Sequence, residues 1–270
     1  MILSLFIKLT RSPAWAKKTW NFWYNFAHLV DGRAGNLNFM NWGYAPKDTA
    51  GKILPLDPRD ENDRFPLQMY YHTIGRRALA GLDVLEVGCG RGGGARSLMK
   101  YASPRSLTGI DLSARAIALN NKSNADRALS FRVGDAENIP FPDGSFDAVV
   151  NVESSHCYPN IKAFFSEVFR VLKSGGKFFY ADFRIIEKMR SWIEAIESSG
   201  FVIQEKEDIT ADVLRSLNRD SLKKERLIRK RVPFFLRGYF RRFACTSDTE
   251  FYMSFVNGRR FYHRYLLVKP

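Results

Sequence analysis

An α/β fold built on a mostly parallel sheet is the prediction, and three observations carry it. Strand-like and helix-like patterns alternate through residues 81–210, the order that parallel strands with crossover helices produce. A glycine-rich turn, Gly88-Cys89-Gly90-Arg91-Gly92-Gly93-Gly94, joins the first of those strands to the first helix. Acidic residues, Glu86, Asp111 and Asp135, stand at the ends of three successive strands.

The elements follow in order. With 270 residues the chain is long enough for one large α/β domain with appended segments. Residues 1–80 are aromatic-rich, with Trp15, Trp20, Phe22, Trp23, Tyr24 and Phe26 crowded together. Their helical part is expected to end before Asp31-Gly32, and a loop containing Gly and Pro to run on to about Pro66. Strands are expected at 84–87, 107–110, 129–133, 146–152, 177–183 and 201–205. The clearest helix spans 161–173, where Ile161, Phe164, Phe165, Val168, Val171 and Leu172 recur at helical spacing before Ser174-Gly175-Gly176 ends it. A basic, helix-like insertion at 211–260 and a last strand at 261–268 complete the order. The domain plan is therefore an N-terminal cap (1–80), a core (81–210), a basic cap or lid (211–260) and a final core strand (261–270).

Composition narrows the function classes. An apolar fraction of 45% supports a packed core and excludes a disordered chain. The net charge of +14 points to an anionic partner, either nucleic acid or a membrane surface. Cys89, Cys157 and Cys245 lie far apart with no CxxC pair, which argues for a reducing, cytoplasmic setting. The apolar start, MILSLFIKL, is shorter than the roughly 20 residues a span needs. Its charges follow the apolar run, against the order of a signal peptide. His28, His72, His156 and His263 are not paired at ligand spacing, so no metal site is expected.

The glycine turn and the acids carry the cofactor chemistry. Glycines let the backbone turn sharply and let a ligand approach the main chain. The GxGxxG pattern satisfies the dinucleotide fingerprint, but that match alone is weak, and a bare tight turn is the other reading. Glu86, two residues before Gly88, discriminates: a carboxylate there repels a pyrophosphate and attracts an ammonium or sulfonium. Asp111 suits ribose hydroxyls, or else caps the helix that starts near Ser113. Asp135 can accept from an adenine amino group. The expected cofactor-contact set is Glu86, Gly88, Cys89, Gly90, Asp111, Leu112, Asp135, Ala136 and Glu137.

Over residues 82–183 these features resemble the class I S-adenosylmethionine-dependent methyltransferases, with their acidic GxGxG motif, ribose acid, DAxxxPF segment (Asp135 to Phe141) and loop after the fourth strand. The resemblance implies a Rossmann-like, mostly parallel seven-stranded sheet flanked by helices, and S-adenosylmethionine as cofactor. It also implies Glu86 near the methionine amino end, Asp111 on the ribose, and Asp135 with Ala136 around adenine. Further segments are similar to the mycobacterial phthiotriol and phenolphthiotriol dimycocerosate O-methyltransferase family: Asn41-Trp42-Gly43-Tyr44, Tyr71-His72, Glu153 to Pro159, Ala181-Asp182-Phe183-Arg184 and 226–237. The first thirty residues and most of the surface depart from that family. The likeness implies methylation of a hydroxyl on a long lipid.

On the acceptor side, an alcohol needs alignment and removal of a proton. The residues after the fourth strand are Glu153-Ser154-Ser155-His156-Cys157-Tyr158. His156, with an ordinary pKa of about 6.5, is the expected general base, or else it serves a loop carbonyl. Glu153 either orients His156 or touches the cofactor. Tyr71, His72 and Tyr158 are expected to contact the acceptor, with His72 the second candidate base. The Asn/Asp-Pro-Pro-Tyr/Phe loop of many nucleic-acid methyltransferases is absent, which disfavours RNA modification despite the charge. Tyr158 and Lys162 have the spacing of a short-chain dehydrogenase pair, yet Pro159 puts Tyr158 at a helix start and rules that reading out.

Between residues 219 and 242 ten Lys/Arg oppose only Asp220 and Glu225, interleaved with Leu222, Leu227, Ile228, Phe234, Phe235, Leu236, Tyr239 and Phe240. Such a stretch suits an anionic bilayer, an RNA backbone or a lid with a solvated face. The expected partner is a hydrophobic small-molecule or lipid acceptor, with peripheral contact to an anionic membrane and nucleic acid disfavoured. N-methylation of a small molecule and RNA modification are the alternative activities.

Overall fold

The computed structural model describes residues 15, 17–19, 38–48, 53–75 and 79–270. Residues 15 and 17–19 are helical; the rest of the N-terminal aromatic cluster and the expected helix end at Asp31-Gly32 lie outside the described residues. A short 3-10 turn at Pro58–Asp63 leads into helix α1 (Arg64–Ile74). Pro66 therefore sits inside the first turn of a helix instead of closing the loop. Proline is tolerated there because the first amides of a helix have no intrahelical partner.

Strands and helices then alternate: β1 (Asp83–Val87), α2 (Gly93–Ala102), β2 (Ser106–Asp111), α3 (Ala114–Ser123), β3 (Leu129–Val133) and β4 (Phe146–Val152). After these come α4 (Ile161–Val171), β5 (Leu172–Ile185), α5 (Ile186–Glu197) and β6 (Val202–Asp208). The basic region folds as α6 (Thr210–Arg231), α7 (Arg237–Phe243) and α8 (Glu250–Val256), and β7 (Arg260–Val268) closes the chain.

The seven strands form one sheet in the order β3-β2-β1-β4-β5-β7-β6. β1 to β5 pair in parallel, and β7 runs antiparallel to both β5 and β6. The predicted mostly parallel seven-stranded, Rossmann-like sheet is thus the observed one. Strand parity divides the core in two, as a sheet covered on both faces requires. Val84, Leu107, Val150 and Phe179 pack with residues of α1, α2, α6 and α8. Leu85, Val87, Val149 and Phe178 pack with α4 and α5. Chain order reverses between β1 and β4, so a crevice opens at their carboxyl ends.

α4 shows both a match and a correction. Its Phe164, Phe165, Val168 and Val171 are buried at helical spacing, and Asn160 caps it by accepting from Ala163 N at 3.1 Å. The helix stops at Val171, two residues before the expected end. Leu172 already pairs with Phe146 in the sheet, and Ala148 then pairs with Lys177, so the residues between bulge. Gly175, at φ +74°, turns that bulge and donates to Lys269 O. Lys269 in turn caps the helix end, donating from Nζ to the carbonyls of Phe169 and Leu172.

α5 is anchored by Trp192, 1% exposed, whose Nε1 donates to the Tyr180 hydroxyl at 2.9 Å. The Arg184 guanidinium lies 4.7 Å from its ring centroid. Trp192→Ala is expected to destabilise the chain by about 3–5 kcal/mol, read from denaturant midpoints. An unchanged midpoint would show that this anchor is dispensable.

Candidate active site

β1 runs directly into the glycine turn. Gly88, Gly90 and Gly92 have φ of +75°, +48° and +70°, conformations that side chains strongly disfavour. At Gly88 space forbids a side chain as well, because a Cβ would stand 2.0 Å from Ser154 Oγ. The amides of Gly88 and Cys89 donate to Ile110 O at 2.8 and 3.0 Å, which ties the turn to β2. Asp111 completes the tie, accepting from Gly90 N at 2.9 Å and from Ser113 N at 2.8 Å. The cap of α3 is Ser113, whose side chain accepts from Ala116 N, so that role does not fall to Asp111.

Glu86 shares the parity of Val84 and faces α1 and α2. The Tyr70 hydroxyl donates to its Oε1 at 2.7 Å, while Oε2 is buried without a hydrogen-bond partner. Gly94 permits this approach; a Cβ there would lie 2.2 Å from Glu86 Oε1. Burial pushes the Glu86 pKa up to about 7, against the opposing pull of the Tyr70 hydroxyl and the Ala95 amide.

Above the turn lies a cavity of about 1080 Å³, open mouth included. Gly88, Cys89, Gly90, Asp111, Leu112, Asp135 and Ala136, all expected at the cofactor, line this one space. Glu86 lies behind its wall, held by the lining residues Tyr70 and Gly94. Glu137 does not line it: its Oε1 accepts from Asn160 N at 2.7 Å, and its Oε2 pairs with Lys17 at 2.7 Å. Lys17 also lines the cavity and pairs with Asp135 Oδ2 at 2.6 Å. The sequence carries no signal for Lys17, which looks no different from its neighbour Lys18.

The loop after β4 forms the opposite wall. Glu153 takes φ +51°, unusual for a residue with a side chain. Its Oε2 accepts from Trp42 N at 2.9 Å and from the Tyr262 hydroxyl at 3.1 Å. Burial raises its pKa to about 8. Glu153 lines the cavity, yet it is Asp182, and not Glu153, that orients His156. His156 Nδ1 lies 3.0 Å from Asp182 Oδ1, and the His156 amide donates to Oδ2 at 2.9 Å. Asp182 also accepts from Ser155 Oγ at 2.6 Å and pairs with Arg184 at 3.2 Å. Burial would raise the Asp182 pKa, but Arg184 and His156 outweigh it and hold the carboxyl well below its ordinary range. For His156 burial works downward, and Cys157 and Asp182 reverse it, so its pKa is raised.

The His156 ring packs on Phe183 at 4.4 Å between centroids, and Phe183 stacks on Trp42 at 4.6 Å. Phe251 and Phe255 of α8 meet Trp42 edge-on. An aromatic box thus joins the loop around Trp42, the ends of β4 and β5, and the late helices. His156 borders this box and does not line the cofactor cavity, which its neighbour Cys157 does. Tyr158 lies on the cofactor side, its hydroxyl 2.7 Å from Ser154 Oγ beneath the glycine turn. Tyr71 and His72 do not line the cavity either. His72 stacks on Tyr44 at 3.9 Å and reaches Glu207 at 3.0 Å, while Tyr71 borders a small hollow with Tyr101. One position along a helix turns a side chain by roughly 100°, and the tyrosine that reaches the site is Tyr70. Among the described residues, no cluster of three or more His, Cys, Asp or Glu is placed to hold a metal ion.

Comparison with known proteins agrees with this geometry. Residues 85–180 match the family described as "Methyltransferase domain". The chain is 38% identical to the phthiotriol/phenolphthiotriol dimycocerosates methyltransferase of Mycobacterium tuberculosis, with 94% of this chain and 93% of that protein covered. It is 34% identical to a fatty-acid O-methyltransferase of Mycolicibacterium smegmatis, covering 86% and 83%. Among solved structures, a geranyl diphosphate C-methyltransferase from Streptomyces coelicolor, bound to Mg²⁺, geranyl diphosphate and S-adenosyl-L-homocysteine, superposes with a TM-score of 0.67. Its identity is 18%, and 96% of this chain and 100% of that chain are covered. The [4+2]-cyclase SpnF superposes with a TM-score of 0.72 at 18% identity, covering 94% and 97%. At those identities the superpositions speak for the fold.

The cofactor is S-adenosylmethionine, and the site suits it. The unsatisfied Glu86 Oε2 offers an acceptor for an ammonium, and the glycine cradle leaves the main chain open to close approach. Because burial pushes the Glu86 pKa up to about 7, an arriving ammonium should favour its carboxylate and release a proton. S-adenosylhomocysteine is therefore expected to bind more tightly as pH rises towards 7, by up to about tenfold per unit. Calorimetry in buffers of different ionisation enthalpy reads the released proton directly. Glu86→Gln should flatten the dependence; a wild-type protein with no proton release would remove Glu86 from the ammonium end.

Proposed function

Because the chain belongs to the S-adenosylmethionine-dependent methyltransferases, within the phthiotriol/phenolphthiotriol dimycocerosates methyltransferase family, we propose that it methylates a hydroxyl oxygen of a hydrophobic, lipid- or polyketide-like acceptor, with His156 as general base. The observation that carries this reading is the His156–Asp182 pair, set against an aromatic box at the rim of the cofactor cavity. The names of the relatives, a phthiotriol/phenolphthiotriol dimycocerosates methyltransferase and a fatty-acid O-methyltransferase, support the acceptor class.

When bound, the cofactor supplies an electrophilic methyl group on a sulfonium. The protein's part is to seat the acceptor oxygen in line with that methyl and to take its proton. Asp182 accepts the Nδ1 proton of His156, which leaves Nε2 as the basic atom of the ring. His156 would take the acceptor hydroxyl's proton, so that the oxygen could accept the methyl group the cofactor would supply. Trp42, Phe183, Phe251 and Phe255 exclude water around this step. Asp182 acts through His156 and is a positioning residue. Glu153 holds the Trp42 loop and Tyr262 against the cofactor wall.

The late helices deliver the acceptor. Phe234 and Phe235 are 80% and 71% exposed, and Leu222 on α6 is 72% exposed. Arg226, Arg229, Lys230 and Arg231 lie on or beside the same segment. Exposed apolar rings among positive charges suit the interface of an anionic bilayer. Part of the charge is used internally, since Arg241 pairs with Glu225 at 2.7 Å. No helix among the described residues is long and apolar enough to cross a membrane. The basic, apolar segment supports a membrane-peripheral setting, proposed to be on the cytoplasmic side.

Two measurements test these statements. His156→Ala should lower turnover by about 10²–10⁴ while leaving S-adenosylhomocysteine affinity unchanged. His156 must lose its proton to act, and its pKa is raised, so wild-type kcat/KM should climb with pH above neutrality. Asp182→Asn removes a charge that raises that pKa and should shift the climb to lower pH. Unaltered turnover in His156→Ala would take the base role from it. In co-sedimentation, the chain should favour vesicles containing phosphatidylglycerol over neutral ones and lose binding as salt rises. Phe234→Ser with Phe235→Ser should cut that binding several-fold; equal binding by the double variant would move the contact elsewhere.

A further inference from the structure

Glu153 is held from behind and open in front. Its amide donates to Ala181 O at 2.8 Å, which fixes the left-handed backbone at φ +51°. Its Oε2 takes two donors, Trp42 N at 2.9 Å and the Tyr262 hydroxyl at 3.1 Å. Oε1 accepts no hydrogen bond among the described residues, yet it is not sealed away as Glu86 Oε2 is. The side chain lines the cofactor cavity, so this second oxygen is left for what enters there.

Its neighbours place it along the ligand. Ser154, next in the chain, stands against the glycine turn, where a Cβ on Gly88 would meet its Oγ at 2.0 Å. Tyr70, which donates to Glu86, lies within electrostatic reach of Glu153. A cofactor with its ammonium at Glu86 and its ribose at Asp111 carries its sulfonium between those ends, and Glu153 lines the same cavity from the opposite wall. The charged and titratable groups around Glu153 are Asp182 and His156 beside it, Tyr262 on β7, Tyr70 on α1, Lys224 on α6 and Cys245 before α8. Burial raises its pKa to about 8 and Asp182 adds to this, while the Trp42 amide, His156 and Tyr262 oppose it. A cation entering the cavity tips such a group to the carboxylate; a neutral ligand does not.

We propose that Glu153 tells the two forms of the cofactor apart: it holds the sulfonium of S-adenosylmethionine and gives no such hold to S-adenosylhomocysteine. After transfer the cofactor's sulfur is a neutral thioether, so the reaction itself removes this attraction. The spent cofactor is then the weaker ligand and gives way to a fresh one. Glu86 cannot supply this selectivity, because both forms carry the same ammonium. The inference concerns the cofactor and goes beyond the acceptor reading, and neither depends on the other.

The test measures binding of S-adenosylmethionine, sinefungin and S-adenosylhomocysteine to the full chain by calorimetry, with no acceptor present. Sinefungin carries an ammonium in place of the methyl sulfonium and cannot be turned over. Both cations are expected to bind about tenfold more tightly than S-adenosylhomocysteine once Glu153 is ionised. The ratio of affinities cancels the contribution of Glu86. It should climb as pH rises towards about 8 and level off above it, because below that range the Glu153 carboxyl must first give up its proton. Glu153→Gln keeps an oxygen for Trp42 N and the Tyr262 hydroxyl. It should bring the ratio close to one at every pH while S-adenosylhomocysteine affinity is retained. Full preference in Glu153→Gln overturns the proposal, and so does a wild-type ratio near one across the range. A Glu153→Gln chain that binds none of the three also overturns it, since Glu153 would then hold the wall and not the charge. None of these results touches the role of His156, which is read from turnover.

Discussion

Asp182 stands at the end of β5 with no solvent contact, and its carboxylate bonds in several directions at once. One oxygen holds the His156 ring, the other takes the His156 amide and Ser155 Oγ, and Arg184 supplies the balancing charge. A buried ion survives only where its partners satisfy it. Here they do, and the loop after β4 has little freedom left. The left-handed backbone at Glu153 follows from the same constraint, since its amide is drawn to Ala181 O, one residue before Asp182. Arg184 is fixed in turn over Trp192, which links the acceptor wall to the core beneath α5.

The cofactor side is built on a different principle. Its shape comes from main-chain bonds, with Gly88 and Cys89 tied to Ile110 and Asp111 gathering two more amides. Its carboxylates differ in partners: Glu86 keeps one oxygen unsatisfied, and Asp135 lines the cavity paired with Lys17 at 2.6 Å. The two halves meet at Glu153, which lines the cofactor cavity and bonds to the Trp42 loop. Methyl transfer needs such a meeting point, because an in-line displacement tolerates little error in the distance between its partners.

Much of the fold and of the cofactor site was legible in the chain because its signals are local. Strand alternation, the glycine turn and an acid at each strand end are patterns within a few residues; Gly88, Gly90, Asp111 and Asp135 line one cavity and Glu86 lies behind its wall. The acceptor side was less legible, because its partners are distant in sequence. Asp182 lies 26 residues from His156, and only the fold brings them together. Trp42 and Tyr262 reach Glu153 from opposite ends of the chain. Tyr70, which bonds Glu86, carries no sequence signal that sets it apart from Tyr71 and His72, and helical geometry turns those two to other faces. Gly175-Gly176 reads equally as a helix stop and as a bulge, and only the early pairing of Leu172 decides between them.

The antiparallel placement of β7 has a consequence for how such a chain can change. β6 and β7 are adjacent and opposed, so Asp208 pairs with His263 and the excursion at 209–259 leaves and returns at one edge of the sheet. Its two ends are held a strand's width apart whatever lies between them, and lengthening a loop with fixed ends costs only the logarithm of its length. Residues added or exchanged there fall on the side proposed for the acceptor, without disturbing the register of β1 to β5. Diversification of substrate range is thereby uncoupled from retention of the cofactor, and the segment should transplant between relatives more readily than its size suggests.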